Sequence, residues 1–312
     1  MKTIDSIDAL AKEPGPLVLA LGFFDGVHRG HQAVLATARE IATDHQADTW
    51  VLTLEPHPLK LIKPEAAPEI LTCKRHKLRL LEHQRLEGCI LLPFDDMLRN
   101  MEAHSFINNI CSSLPQLCHI VTGSNWTFGR GAKGNTDLLE KLTEKYSIGT
   151  TIVPPVEWRD APISSTRIRQ AVRNGDLETA EAMLGHPFSM LGDVIHGRRI
   201  GHDLGYPTAN IDPHNEVHPP SGVYAARCRL DKHYYDAAAY IGSRPTFEDH
   251  TEWVVEVYLL NQHIDLYGRE AEVFFLSKVR EDRRFAGTGE LQLQIQRDVE
   301  ITQRILKEKG QA

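Results

Sequence analysis

The chain has 312 residues, with 35 Lys plus Arg against 42 Asp plus Glu and a formal net charge of −7. Such a balance argues against a duplex nucleic-acid binder held by bulk positive charge, and 41% apolar with 25% charged residues excludes collagen, coiled coil and a disordered chain. The length admits one large or two ordinary domains.

Residues 1–8 are polar, and the apolar run 17–24 falls short of the roughly 20 residues of a membrane span. No targeting or membrane segment is therefore expected, and the expected location is the cytoplasm. Cys73, Cys89, Cys111, Cys118 and Cys228 are odd in number and lack C-x-x-C spacing, the pattern of reduced, mostly buried thiols.

From residue 17 to about 184, short apolar runs at 17–21, 49–54, 89–92, 119–122 and 150–153 alternate with helical spacing at 32–44, 74–86, 103–114 and 136–146. Ser105 or Thr136 would serve as N-caps. This predicts a doubly wound α/β domain with a parallel sheet, whose chemistry belongs in the loops after Leu21, Leu54 and Thr122. A further helix at 176–184 ends at Gly185-His186-Pro187, which places the domain boundary between 185 and 186. Beyond it, segments 222–230, 235–241, 253–260 and 272–276 are rich in Val, Tyr and Phe and separated by turn residues, predicting an antiparallel barrel. A last segment, 289–307, carries Leu291, Ile295, Val299, Thr302 and Ile305 on one helical stripe.

The first strand runs through Gly22-Phe23-Phe24-Asp25-Gly26-Val27-His28-Arg29-Gly30-His31 into a helix. A helix N-terminus with close-approach glycines, Gly26 and Gly30, and two imidazoles, His28 and His31, suits a phosphate. Two histidines that merely cap the helix would give the same pattern, and a zinc pair is disfavoured because no Glu follows the first His. Ile163-Ser164-Ser165-Thr166-Arg167-Ile168-Arg169, with Arg173 beyond, leads hydroxyls into a row of guanidiniums. It fits a triphosphate as well as it fits an exposed, salt-bridged helix start. Gly123-Ser124-Asn125-Trp126-Thr127-Phe128-Gly129-Arg130 offers aromatic faces to an adenine or a flavin and a cation to phosphates, or is a loop anchored by its own aromatics. Glu55-Pro56-His57-Pro58 is a rigid loop at the same sheet edge with no evident role.

In that order, G-F-F-D-G-V-H-R-G-H, E-P-H-P, G-S-N-W-T-F-G-R-G and I-S-S-T-R-I-R resemble the bacterial bifunctional riboflavin kinase and FAD synthetase family along the whole chain. The resemblance implies that the first domain transfers AMP from ATP to FMN and releases pyrophosphate. It implies that His28 and His31 stabilise charge on the α- and β-phosphates, within an ATP site of Gly22, Phe24, Asp25, Gly26 and Gly30. Ser164, Ser165, Thr166, Arg167 and Arg169 would hold the triphosphate, and Asn125, Trp126, Phe128 and Arg130 would form the nucleotide or flavin loop. Direct attack by the ionised FMN phosphate needs no protein nucleophile, so neither Cys89 nor Cys111 need act. The chain departs from the family at Phe23, often Asn, and at Asn125-Trp126, often Asp-Phe; altered affinity is expected there.

In the second half, glycines 197, 201 and 205 suggest a flap, and no G-x-x-x-x-G-K-[ST] phosphate loop occurs. Thr208 and Asn210, two apart, share one side of an extended segment and can offer oxygens to a magnesium nucleotide, or Asn210 can simply satisfy a turn. Glu256 lies between Val255 and Val257, where a solvent-facing carboxylate is the plain expectation. The stretches G-R-R-I-G-H-D-L-G-Y-P-T-A-N, G-S-R-P-T-F, V-E-V-Y and D-L-Y-G resemble the riboflavin kinase module. That resemblance makes Glu256 the general base for the ribityl 5′-hydroxyl. Gly197, Gly201, Gly205, Pro207, Thr208 and Asn210 become the ATP site, with Mg2+ on Thr208 and Asn210, and Arg280, Asp282, Arg283 and Phe285 the segment over the flavin.

The expectation is thus an enzyme of residues 1–185 and 186–312 that turns riboflavin and FMN into FAD with ATP and Mg2+. Its partners would be small molecules, without nucleic acid or membrane, and it would be a monomer or weak homo-oligomer. The rivals are a chain active as the kinase alone, a flavin-binding regulator, and a distant relative of class I aminoacyl-tRNA synthetases.

Overall fold

The computed structural model of the chain describes residues 1–196, 205–245, 251–262, 264 and 266–310. Its compact units are residues 1–69 with 74–165, and residues 70–73 with 166–312.

In the first unit β1 (Lys2–Ile4), β2 (Leu17–Leu21), β3 (Asp48–Glu55), β4 (Gly88–Pro93), β5 (Leu117–Gly123) and β6 (Gly149–Val153) form one parallel sheet in the order β1-β4-β3-β2-β5-β6. Alternate residues of β2 sort to opposite faces, as the pleat requires. Leu17, Leu19 and Leu21 pack with Phe106, Ile107 and Ile110 of α6 (Ala103–Ser113) and Leu139 of α7 (Thr136–Glu144). Val18 and Ala20 pack with Val34, Leu35 and Ala38 of α2 (Arg29–Asp44) and Leu81 of α4 (Lys74–Glu82). Helices thus cover both faces, the doubly wound architecture that the alternation predicts.

Three details differ from the sequence expectation. α2 begins at Arg29 rather than 32, because His28 is its N-cap. The caps of α6 and α7 are Glu102 and Asn135, not Ser105 or Thr136, and Asn135 Oδ1 accepts from Leu138 N at 3.0 Å. The edge strand β1 and the single-turn α1 (Ile7–Leu10) carry too few residues for a periodic signal. In strand order the chain reverses at β2, which lies between β3 and β5, so the loops after β2 and β5 flank the topological switch point.

The second unit is a closed antiparallel barrel of β7 (Ser189–Ile195), β8 (Ala209–Pro213), β9 (Gly222–Leu230), β10 (His233–Pro245), β11 (Thr251–Leu259) and β12 (Glu270–Glu281), in the order β10-β11-β8-β7-β12-β9. Small buried residues Ala226, Ala237 and Ala239 leave room for Tyr224 and Phe275, which meet edge to face at 5.6 Å. Register shifts between Phe275 and Ser277 and between Lys278 and Arg280 interrupt the alternation of β12, so its sequence shows only 272–276. α8 (Ser165–Arg173) crosses the division between the units, and α9 (Leu177–Leu184) lies within the second. The strip 70–73 belongs with the barrel through Ile70 N to Glu216 Oε2 at 2.9 Å and through Asn215 Nδ2, which donates to Leu71 O.

The C-terminal helix (Thr288–Lys309) packs Val299, Ile305 and Leu306 against Ala225 and Leu260. Asp298, a charge in the middle of its buried face, accepts from Arg280 Nε at 2.9 and 3.0 Å and from Arg280 Nη2 at 2.9 Å. Among the described residues no helix is long and apolar enough to cross a membrane.

Candidate functional site

In the first unit the site is built on the loop between β2 and α2. Phe24, Gly26 and Val27 have φ of 54°, 79° and 39°, and for a β-branched valine that is a costly conformation. It is held because the Phe24 and Val27 side chains are both 1% exposed, anchored in the core beneath. Neighbouring strands clamp the backbone of the loop mouth. Buried Thr53 and Thr122 donate to Phe23 O and Leu21 O at 2.9 and 3.0 Å, and Gly22 N donates to Leu52 O at 3.2 Å. Ser165 Oγ donates to Asp25 O at 3.1 Å, so the start of the I-S-S-T-R motif is tied to the same loop, with Ser164 beside it in sequence.

His28, 6% exposed, caps α2: its Nδ1 accepts the His31 backbone N–H at 3.3 Å. An accepting Nδ1 places the proton of neutral His28 on Nε2, the donor end of the ring. The His28 and His31 rings stack with centroids 3.6 Å apart and planes 13° apart, and Phe24 covers His31 at 5.2 Å. A side chain at Gly30 would lie 3.1 Å from His28 Cε1, so this glycine makes room for the imidazole. The two readings of H-R-G-H are both present: the histidines cap, and they also present paired imidazoles at a helix N-terminus.

His31 Nδ1 is buried without a hydrogen-bond partner among the described residues. Burial first, then His28, then Lys77 hold its imidazole well below the ordinary histidine value. The unfolded chain takes up this proton near about pH 6.5, the folded one only at lower pH. Stability is therefore complete above about pH 6.5 and is lost as pH falls toward the folded value. Urea midpoints of the first unit should drop between neutral and mildly acidic pH, and His31→Asn should flatten that drop; an equal drop in both proteins would contradict it.

The loop after β5 supplies the apolar wall. Phe128, 6% exposed, belongs to the core, and Trp126 stacks on it at 4.6 Å and 23°. With Gly22, Phe23, Leu54, Phe94 and Leu98 they line a shallow recess whose walls are mostly aromatic and aliphatic, the character of surface on which an aromatic ring system packs. Phe23 also stacks on His57 at 5.3 Å, and His57 caps α3 (Pro58–Ile62) by accepting from Leu59 N. Asn125 and Arg130 are exposed, and Arg130 lies 3.7 Å from Glu102 in a solvated pair. Thr166, exposed, with Arg167, half-buried, and Arg169, buried, lies on α8 in the second unit. Burial pushes the Cys89 thiol up to about 12 and that of Cys111 to about 11, so neither offers a thiolate.

In the barrel, Thr208 Oγ1 donates to Glu256 Oε2 at 3.4 Å, and Glu256 pairs across strands with Asn210 on one side and Tyr240 on the other. Cross-strand partners share a face. That face is opposite to Val255 and Val257, at 0% and 1% exposure, yet Asn210 is 8% exposed and Glu256 half-buried. The carboxylate therefore does not simply face solvent. Tyr240 went unnoticed in the sequence; its signal was Gly242, where a side chain would occupy the place of the Tyr240 phenol. Gly205, at φ 86°, and Pro207 precede Thr208, and Tyr206 meets Tyr258 edge-on at 5.5 Å. Gly197 and Gly201 lie outside the described residues. Phe285 is flanked by the guanidiniums of Arg280 and Arg283 at 5.5 and 4.7 Å; Arg283 also donates to Glu290, and Asp282 is exposed. Among the described residues no group of three or more His, Cys, Asp or Glu is arranged to hold a metal.

Two family models match the chain. The FAD synthetase family model matches residues 10–167 and the riboflavin kinase model residues 184–306. The bifunctional riboflavin kinase/FMN adenylyltransferase of Escherichia coli (strain K12) is 37% identical over 97% of this chain and 97% of its own. That of Bacillus subtilis (strain 168) is 33% identical over 93% and 92%. A crystal structure described as a macrolide-efflux protein from Streptococcus pneumoniae superposes with a TM-score of 0.85 at 30% identity, covering 97% of this chain and 99% of that one.

Proposed function

The chain belongs to the bifunctional riboflavin kinase/FMN adenylyltransferase family, and we propose how its own residues divide the two reactions. The carrying observation is the grouping of Thr208, Asn210 and Glu256 on one barrel face, apart in sequence yet joined by register and by a hydrogen bond.

Glu256 takes the proton of the riboflavin 5′-hydroxyl as its oxygen bonds to the γ-phosphorus of ATP; ADP leaves and FMN remains. Thr208 orients the carboxylate. The oxygens of Thr208 and Asn210 suit a hard cation that keeps waters and substrate phosphates as its other ligands, and so fit Mg2+. Bound there, Mg2+ would neutralise charge on the ATP phosphates. Gly205 and Pro207 would border the nucleotide beside Thr208, and Arg283 and Phe285 would cover the flavin. Arg280, committed to Asp298, would position that segment rather than touch the flavin. Asn210→Ala should raise the Mg2+ concentration needed for half-maximal riboflavin phosphorylation by roughly tenfold or more, without effect on FMN adenylylation. An unchanged Mg2+ dependence would remove Asn210 from the metal site.

In the first unit an FMN phosphate oxygen attacks the α-phosphorus of ATP and pyrophosphate departs. The attacking oxygen is already ionised, so the protein positions and stabilises. His28 and His31 would donate to phosphoryl oxygens at the α2 N-terminus. Gly22, Phe24, Asp25, Gly26 and Gly30 would shape the cradle, and Ser164 and Ser165, tied to the same loop, would hold the leaving group. The recess walled by Trp126 and Phe128 suits the isoalloxazine better than a phosphate; Asn125 and Arg130 stand at its exposed rim. We assign residues 1–185 to adenylyl transfer and 186–312 to the kinase, a boundary supported by the kinase family match from 184. Acidic charge and free, mostly buried cysteines fit a cytoplasmic enzyme of small molecules, monomeric or weakly self-associating, that binds no nucleic acid.

A further inference from the structure

Lys77 is a lysine of the interior. It lies on α4 with 6% exposure, where an ammonium persists only with a partner. Its Nζ donates to Glu55 Oε2 at 2.9 Å and to Leu54 O at 3.3 Å. Both acceptors belong to the carboxyl end of β3, the stretch whose Leu52 and Thr53 clamp the mouth of the β2–α2 loop. The same ammonium acts electrostatically on two side chains of neighbouring elements, the Cys89 thiol of β4 and the His31 imidazole of α2.

The fold alone does not call for this ion pair. Leu80 and Leu81 already fix α4 to the core, and a buried pair is often replaceable by apolar side chains without loss of stability. Its location accounts for it better. Glu55 opens the Glu55-Pro56-His57-Pro58 loop, which has no other assigned task, and His57 at its far end carries Phe23 of the phosphate loop.

We propose that Lys77 is a positioning residue for adenylyl transfer: clamped by Glu55 and Leu54, its ammonium fixes the carboxyl end of β3, whose Leu52 and Thr53 hold the loop that carries His28 and His31. A second positive charge on His31 would add a buried N–H at Nδ1, which has no acceptor among the described residues. Lys77 opposes that protonation, so His31 stays a neutral donor. The groups acting on His31 are His28 on its own helix and Lys77 from α4, with Glu55 offsetting part of the lysine charge. The proposal rests on adenylyl transfer in this unit, which the wild-type conversion of FMN to FAD tests separately.

The test is the pH profile of kcat/KM for FMN adenylylation by the full chain, with riboflavin phosphorylation as the internal control. Lys77→Met should lower kcat roughly tenfold or more, with KM for ATP and FMN nearly unchanged. Its acid limb should move up, because one opposing charge is gone, while burial and His28 still hold it below the free histidine value. Lys77→Arg should restore the wild-type limb, and Glu55→Gln, which leaves the lysine charge less compensated, should move the limb to lower pH. Should Lys77→Met be insoluble, Lys77→Arg and Glu55→Gln decide the matter through these shifts. A rate loss with every acid limb in the wild-type place would mean a merely structural lysine and overturn the proposal, as would unchanged kcat in Lys77→Met.

Discussion

Glu256→Gln should reduce FMN formation from riboflavin by roughly 10²–10⁴-fold, the range of a lost general base, while conversion of added FMN to FAD stays at the wild-type rate. Glutamine keeps the volume and can still accept from the Thr208 hydroxyl, now 3.4 Å from the carboxylate, so the barrel should remain folded. What disappears is the ability to take a proton from an alcohol, which is not nucleophilic until it loses one. FMN adenylylation has no such need, because its attacking phosphate is already ionised. The two activities of the variant, resolved by chromatography of the flavins, must therefore diverge. Loss of both together would refute separate sites.

The second large effect is expected at His28. His28→Asn should reduce FMN adenylylation by roughly 10²–10³-fold, the scale of losing one preorganised donor to a developing charge, with riboflavin phosphorylation unchanged. Asparagine is chosen because it is among the best N-caps. Its side-chain oxygen can accept the His31 N–H that His28 Nδ1 accepts now, so α2 keeps its cap and thermal stability should hold. The variant loses the Nε2 donor and the stack on His31. His28→Ala should lose the cap as well, at a further cost of about 1 kcal/mol. An active His28→Asn would reduce His28 to a cap.

Much of this architecture can be read from the chain because the relevant signals are local. β2 is apolar along its whole length, as a strand buried on both faces must be, and 222–230 is bounded by turn residues at the ends of β9. The glycines and histidines between β2 and α2 announce a helix N-terminus in one contiguous stretch. What sequence hides is whatever depends on partners distant along the chain. Lys77 reads as one more cation of a charged helix, and only Glu55, 22 residues away, makes it interior. Asp298 looks like a flaw in an apolar stripe until Arg280, 18 residues earlier, is seen to hold it. Glu256 between two valines reads as solvent-facing, and only the register with Asn210 and Tyr240 places it in a half-buried group. β7 and β8 enclose the G-R-R-I-G-H-D-L-G-Y-P-T-A-N stretch, whose glycines and charges mask the strand pattern at its borders.

The most direct measurement is to incubate the purified protein with ATP and Mg2+ and either riboflavin or FMN, then separate the flavins. Two sites in one chain predict FAD from both incubations, with FMN appearing before FAD when riboflavin is supplied. FMN that accumulates from riboflavin, with no FAD formed in either incubation, would contradict the account.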